Sequence, residues 1–172
     1  MTKLRIAGIT HESVVDGPGL RITIFFQGCQ HACPGCHNPQ TWSIQGGTEY
    51  RLAELIPQLK ITPLITGVTF SGGEPFLQAE AGAELGEILK TSGLGLWVYT
   101  GFTWEELLDN LQNPGYRKLL AVADVVVDGP YREDLKRNSL PFRGSANQRL
   151  ILVRESLAEG KIIEWRPKQV II

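Results

Sequence analysis

The chain lacks a charge excess, a long apolar run and a fourth cysteine. Its 17 Lys and Arg balance 18 Asp and Glu, leaving a formal net charge of −1. That balance speaks against a surface that binds nucleic acid by charge. The apolar stretches reach strand length only, so no transmembrane helix and no membrane partner are expected. Met1 to Ile9 lacks the apolar core of a signal peptide. Reduced thiols without an export signal point to the cytoplasm. No internal repeat or low-complexity linker is evident. What remains is ordinary: 172 residues, 42% hydrophobic and 20% charged, enough for one domain with a real core.

The three cysteines that are present all fall within one eight-residue window, Cys29, Cys33 and Cys36, spaced C-x3-C-x2-C. Packing cysteines scatter through a core, whereas metal ligands converge. Three thiolates can hold three irons of a [4Fe–4S] cube, and there is no fourth for the last iron. Electron-carrying clusters normally have four thiolates. A three-thiolate cluster keeps one iron open, as catalytic metal sites keep an open position. A Cys3His zinc site is the alternative, with His31 and His37 as candidate fourth ligands, although zinc patterns usually separate two ligand pairs by a longer stretch. A disulfide is the poorest reading, because three is odd and the loops would be very tight. An electron-transfer protein, which calls for four protein ligands, completes the set.

Leu20 to Phe26 predicts a strand, and the cysteine loop from Gly28 to Pro39 follows directly. Arg51 to Leu59 has helical spacing. Gly67 to Phe70 reads as a strand closed by Ser71-Gly72-Gly73-Glu74-Pro75. Leu77 to Leu89 reads as a helix, Gly95 to Thr100 as a strand. Thr103 with Glu106 forms a capping box for a helix to Leu111. Ala123 to Val127 and Arg149 to Val153 are further strands, and the tail from Lys161 to Ile172 can add an edge strand limited by Pro167. Alternation of strands and helices predicts an α/β fold with a mainly parallel sheet, its ligands at the carboxyl ends of the strands. A closed eight-unit barrel needs more chain, so a partial, open (β/α) barrel of about five or six units is expected. Its core runs from about Val15 to Val153, with a tail over 154–172.

The Gly72-Gly73-Glu74 loop adds chemistry. Two glycines allow close backbone approach to a ligand, and a carboxylate beside them can receive a cation such as an α-amino group. A plain tight turn would look much the same. Together, the C-x3-C-x2-C loop after a first strand and the Gly-Gly-Glu-Pro loop after the second resemble the radical S-adenosylmethionine (SAM) superfamily. Val15-Asp16-Gly17-Pro18-Gly19-Leu20-Arg21 resembles the VDGPG-(I/L)-R segment of the glycyl radical enzyme activases. Gly28-Cys29, Cys36-His37-Asn38-Pro39 and Thr41-Trp42 extend that likeness. The segment Leu96 to Glu105, Val127-Asp128-Gly129-Pro130-Tyr131 and Phe142-Arg143-Gly144-Ser145-Ala146-Asn147-Gln148-Arg149 are similar to one branch, the anaerobic ribonucleoside-triphosphate reductase-activating proteins. The likeness runs from about Val15 to Leu152.

The resemblance implies that Cys29, Cys33 and Cys36 bind a [4Fe–4S] cluster whose fourth iron is open to SAM. It implies that Gly72, Gly73 and Glu74 contact the methionyl amino group, and that His37, Asn38 and Asp128 assist in holding the cofactor. A reduced cluster would cleave SAM to a 5′-deoxyadenosyl radical, which would abstract a hydrogen from a glycine of a partner, an anaerobic ribonucleoside-triphosphate reductase. An electron donor such as flavodoxin is implied as a second partner. Asp16, Pro18 and Arg21 would shape the mouth of the site or touch the partner peptide, with an ordinary turn before a strand as the plainer reading. Arg143 and Asn147 look like a recognition loop. Gly35 departs from the aromatic residue that many superfamily members place before the third cysteine, and is common in this branch. The alternatives are a small-molecule radical SAM enzyme of the deazapurine-forming type, and an activase of pyruvate formate-lyase.

Overall fold

The computed structural model describes residues 2–167. Seven strands form one sheet: β1 (Lys3–Ser13), β2 (Arg21–Phe26), β3 (Thr48–Arg51), β4 (Gly67–Gly72), β5 (Gly95–Tyr99), β6 (Val125–Asp128) and β7 (Arg149–Leu152). Their order across the sheet is β3-β1-β2-β4-β5-β6-β7. The central four, β2, β4, β5 and β6, are parallel neighbours. Both flanks are antiparallel: β1 pairs with β2 and β3, and β7 with β6. The α/β class and the parallel centre therefore agree with the sequence reading, while the number of barrel units does not follow from this order.

Side chains alternate strictly across the parallel centre, as the two-residue repeat of a strand requires. Ile22, Ile24, Val68, Phe70, Leu96, Val98, Val126 and Ile151 are buried in the main core on one face. That face packs against α1 (Leu52–Leu55), α2 (Ala79–Thr91), α3 (Trp104–Asp109), α4 (Pro114–Val122) and α5 (Val153–Glu159). On the other face Trp97, Val125, Val127 and Leu150 form a smaller cluster with Tyr99, Phe142, Leu152 and Trp165. Helix α2 approaches closely because its inner face is small. A Cβ on Gly86 would lie 2.9 Å from a Leu96 methyl and 3.0 Å from one of Val122. Leu85 and Leu89, at 0% and 1% exposure, each contribute about 2 kcal/mol by burial.

Several elements differ from the sequence reading. The Arg51–Leu59 helix is one α turn followed by a 3-10 segment, Ile56–Leu59, ended by Lys60 in a left-handed conformation. The Leu77 helix begins at Ala79, after a 3-10 turn over Pro75–Gln78. The Thr103–Glu106 capping box is present, with Thr103 accepting the Glu106 N–H and Glu106 accepting the Thr103 N–H at 2.7 Å. β1 is the longest strand and was not foreseen; neither were β3, α4 or α5. The tail runs beside β7 through a bridge between Ile151 and Glu164; the rest of the expected edge strand, residues 168–172, lies outside the described residues. No helix among the described residues is long and apolar enough to cross a membrane.

Candidate active site at the carboxyl rim of the parallel strands

The parallel strands β2, β4, β5 and β6 all end at one rim, and the loops leaving them surround a cavity of about 440 Å3. Cys29, Cys33 and Cys36 line it together with Ser71, Gly72 and Gly73 after β4, Thr100 and Gly101 after β5, and Gly129 and Tyr131 after β6. Phe25, Tyr99 and Phe142 supply apolar walls. His37 and Asn38 also reach it. The rim expected from the sequence is therefore assembled in one place.

Backbone bonds hold the cysteine loop at both ends. Gly28 N–H donates to Thr41 C=O at 2.7 Å and Cys29 N–H to Trp42 C=O at 3.0 Å. Glu74 N–H donates to Gly28 C=O at 2.7 Å, and Gly73 N–H to Phe26 C=O at 2.8 Å. These last two bonds weld the Gly-Gly-Glu loop to the cysteine loop. They also explain Gly73: a Cβ there would lie 2.3 Å from the Gly28 carbonyl oxygen. Gly72 sits at φ +92, which favours glycine. Within the loop, Asn38 N–H donates to Cys36 Sγ at 3.4 Å. The His37 ring packs against Tyr131 with centroids 4.9 Å apart.

All three cysteines are free thiols, partly exposed toward the cavity. Burial pushes the Cys29 and Cys33 thiols up, partly offset by backbone N–H donors. Among the described residues no three His, Cys, Asp or Glu side chains converge closely enough to grip one metal ion. Three free thiols lining one cavity can hold three irons of a [4Fe–4S] cluster. Soft thiolates on one wall, glycine backbone on another and apolar side chains between them fit an iron–sulfur cluster with an organic cofactor beside it.

Glu74 is not where a ligand-facing acid would be. It is fully buried, and its carboxylate accepts from His31 Nε2 at 2.7 Å, from Thr100 Oγ1 at 2.9 Å, from Gly101 N–H at 2.9 Å and from Phe76 N–H at 3.0 Å. Asp128 also departs from the expectation of a cofactor-facing acid. It is 1% exposed, it accepts the Trp104 N–H at 2.7 Å at the start of α3, and it pairs with the Arg149 guanidinium. Its carboxylate is a clasp between strand ends and a helix. Paired with Asp128 and Glu105, Arg149 holds its proton more tightly than an ordinary arginine.

Arg21 is neither a surface charge nor a ligand group. It is 3% exposed, and donates to Thr69 Oγ1, Val68 C=O, Gly95 C=O and Pro18 C=O beneath the face of Trp97. Burial lowers its pKa to about 10. Asp16 lines the cavity while accepting from Ser13 and Thr23 hydroxyls. Arg143 lines the cavity, donates to Gln148 C=O, and among the described residues keeps a buried Nε without a partner. Asn147 does not reach the cavity wall; its amide N–H2 donates to Pro130 C=O. The sequence reading named Gln148 within a motif but not its role, which is to order the Gly144–Ser145 turn by accepting both N–H groups, and it missed the pairing of His31 with Glu74. Neither leaves a periodic or spacing signal.

This geometry defines an α/β iron–sulfur protein with its cluster loop facing a cofactor-sized cavity, and the sequence matches the family of the 4Fe-4S single cluster domain over residues 15–151. Among curated proteins, the anaerobic ribonucleoside-triphosphate reductase-activating protein of Vibrio cholerae is 39% identical over 78% of this chain and 89% of its own length. The protein of the same name from Escherichia coli is 35% identical over 78% of this chain and 90% of its own. The pyruvate formate-lyase-activating enzyme of Clostridium pasteurianum is 43% identical over 60% of this chain but 48% of its own. The chain belongs to the family of anaerobic ribonucleoside-triphosphate reductase-activating proteins.

Proposed function

We propose that the chain is a radical SAM activase that installs a glycyl radical in an anaerobic ribonucleoside-triphosphate reductase. The observation that carries this is the convergence of three free thiols, the Ser71–Gly73 backbone and the Thr100–Gly101 turn on one cavity. In this reading Cys29, Cys33 and Cys36 hold a [4Fe–4S] cluster, and Gly72 and Gly73 offer backbone groups to the SAM amino group. When bound, the cluster and SAM supply a 5′-deoxyadenosyl radical able to take a hydrogen atom from a glycine Cα. The chain itself binds, orients and excludes water, with Phe25, Tyr99 and Phe142 forming the dry wall. His37, braced on Tyr131, and Asn38 hold the loop beside the cofactor. Glu74 and Asp128 serve the cofactor from behind, by fixing the turns that face it.

The finer reading of the fold, a partial, open (β/α) barrel of about five or six units, belongs with this proposal: β2, β4, β5 and β6 follow in order as parallel neighbours, as successive units of such a barrel would. A cytoplasmic setting suits three free thiols, and an electron donor such as flavodoxin completes the partners. The test is anaerobic. Reconstitute the chain with iron and sulfide, reduce it, and record electron paramagnetic resonance (EPR) spectra with and without SAM. Then add the reductase and look for 5′-deoxyadenosine and a glycyl radical signal. A cluster indifferent to SAM, or deoxyadenosine without any protein radical on the reductase, would overturn the reading.

A further inference from the structure

His31 lies inside the cysteine run and lines the cavity, with its Nε2 turned to Glu74. A carboxylate accepts, so Nε2 carries the hydrogen of the 2.7 Å bond. Glu74 is at 0% and the His31 side chain at 16% exposure. The other donors to that carboxylate, Thr100, Gly101 and Phe76, come from outside the cysteine loop. His31 is therefore the side chain by which the loop reaches the turn after β5. The ring also has a shaped seat. A Cβ on Gly101 would lie 2.4 Å from His31 Cδ2, so only glycine leaves room. The Phe102 ring meets the imidazole edge-on, with centroids 4.6 Å apart.

We propose that His31 is a positioning residue which, through Glu74, fixes the cluster loop relative to the Thr100–Phe102 turn and so sets the distance between thiols and cofactor. This rests on the radical SAM reading above. A buried carboxylate is tolerable only when fully hydrogen-bonded. Removing the His31 donor leaves the carboxylate with Thr100, Gly101 and Phe76 alone, so the side-chain tie from the cysteine loop is lost and the backbone bonds from Gly73 and Glu74 are left to hold it. His31, Thr100 and Gly101 line the cavity directly, whereas Glu74 does not. A disturbance of the carboxylate thus reaches the ligand through the turn.

The experiment compares wild type, His31→Phe and His31→Gln, all as full chains reconstituted anaerobically. Phe keeps the ring and its packing without a donor; Gln restores an N–H donor. The readouts are iron and sulfide content, SAM affinity, and the change SAM causes in the EPR signal of the reduced cluster. His31→Phe should keep its iron, bind SAM about ten- to a hundredfold more weakly, as outer ligand-sphere changes typically do, and show a smaller SAM-induced change. His31→Gln should recover most of both. Wild-type affinity and response in His31→Phe would overturn the role, as would loss of iron in parallel with loss of SAM binding, which would make His31 a cluster-retention residue. A wild type that ignores SAM sinks the proposed function alone. Hydrogen exchange of the cofactor-free chain then still decides the tie: the Gly101 amide should exchange about tenfold faster in His31→Phe and return in His31→Gln. Unchanged Gly101 protection would refute it.

Discussion

Asp128 separates a structural clasp from a cofactor ligand, and replacing it gives opposite results in the two cases. Its carboxylate accepts the Trp104 N–H at 2.7 Å, and both its oxygens accept from Arg149 Nε, at 3.1 and 3.2 Å. Arg149 retains a second partner, Glu105, at 2.7 Å, so the guanidinium is not left unpaired when Asp128 is removed. Arg149 is 30% exposed and Glu105 61%, so solvent screens that side of the network and its share is small. The buried bond to Trp104 N–H is charge-assisted and contributes about 1.5–3 kcal/mol. Asp128→Ala should therefore lower stability by about 3 kcal/mol, and Asp128→Asn, which keeps one acceptor, by roughly half that. With a urea slope of about 2 kcal/mol per molar, the alanine midpoint falls by about 1.5 M. The assay is anaerobic urea unfolding of the cofactor-free chain, followed by SAM binding on the folded, reconstituted one. An Asp128→Asn protein as stable as wild type that no longer binds SAM would refute this assignment and restore Asp128 as a ligand.

Three other outcomes are expected. Gly73→Ala should separate the Gly-Gly-Glu loop from the cysteine loop, because its Cβ would meet the Gly28 carbonyl at 2.3 Å; a loss of about 1–3 kcal/mol and weaker SAM binding would appear in unfolding and titration. Trp165→Ala removes an edge contact to Trp97 at 5.1 Å and to Phe142 at 5.8 Å; about 3 kcal/mol of stability and much of the near-ultraviolet dichroism should go with it. Burial raises the Tyr99 phenol well above its usual value, and its hydroxyl donates to Phe142 C=O at 2.7 Å. A proton held more tightly in the folded state stabilises the fold below the unfolded pKa, near 10, and that contribution fades as pH rises through the folded one. Stability of the cofactor-free chain should thus fall above about pH 10, and Tyr99→Phe should flatten that fall; a slope identical in the two proteins contradicts the argument.

The legible parts of this chain are those whose chemistry is local. The alternation Ile22, Ile24, Phe26 marks the buried face of β2, and the Thr103–Glu106 box marks the start of α3. The cysteine spacing and the Gly-Gly-Glu loop were likewise written in adjacent residues, and the cavity does bring them together. β1 was hidden because its register shifts at Gly8 and again before Ser13, which breaks the two-residue repeat. α4 was hidden behind Asn113-Pro114, which reads as a turn but serves as N-cap and first residue. The Asp128–Arg149 clasp left no local signal because the partner is 21 residues away on an antiparallel neighbour. The bonding of Glu74 was hidden for a related reason: its donors come from three separate segments, and only folding brings them to one carboxylate.

The antiparallel flanks have a consequence for how the chain behaves in company. An unguarded sheet edge is a template on which other chains can add strands and aggregate. Here one edge is β3, four residues reading Thr-Glu-Tyr-Arg, with Glu49 paired to Lys3 and Arg5. At the other edge the segment around Glu164 is laid against β7, where Trp165 N–H donates to Leu150 C=O and Leu152 N–H to Ile163 C=O. The parallel strands that carry the cysteine-lined cavity are thereby screened on both sides from recruitment into fibrils, and shortening the chain before Ile163 would uncover an aggregation-prone border.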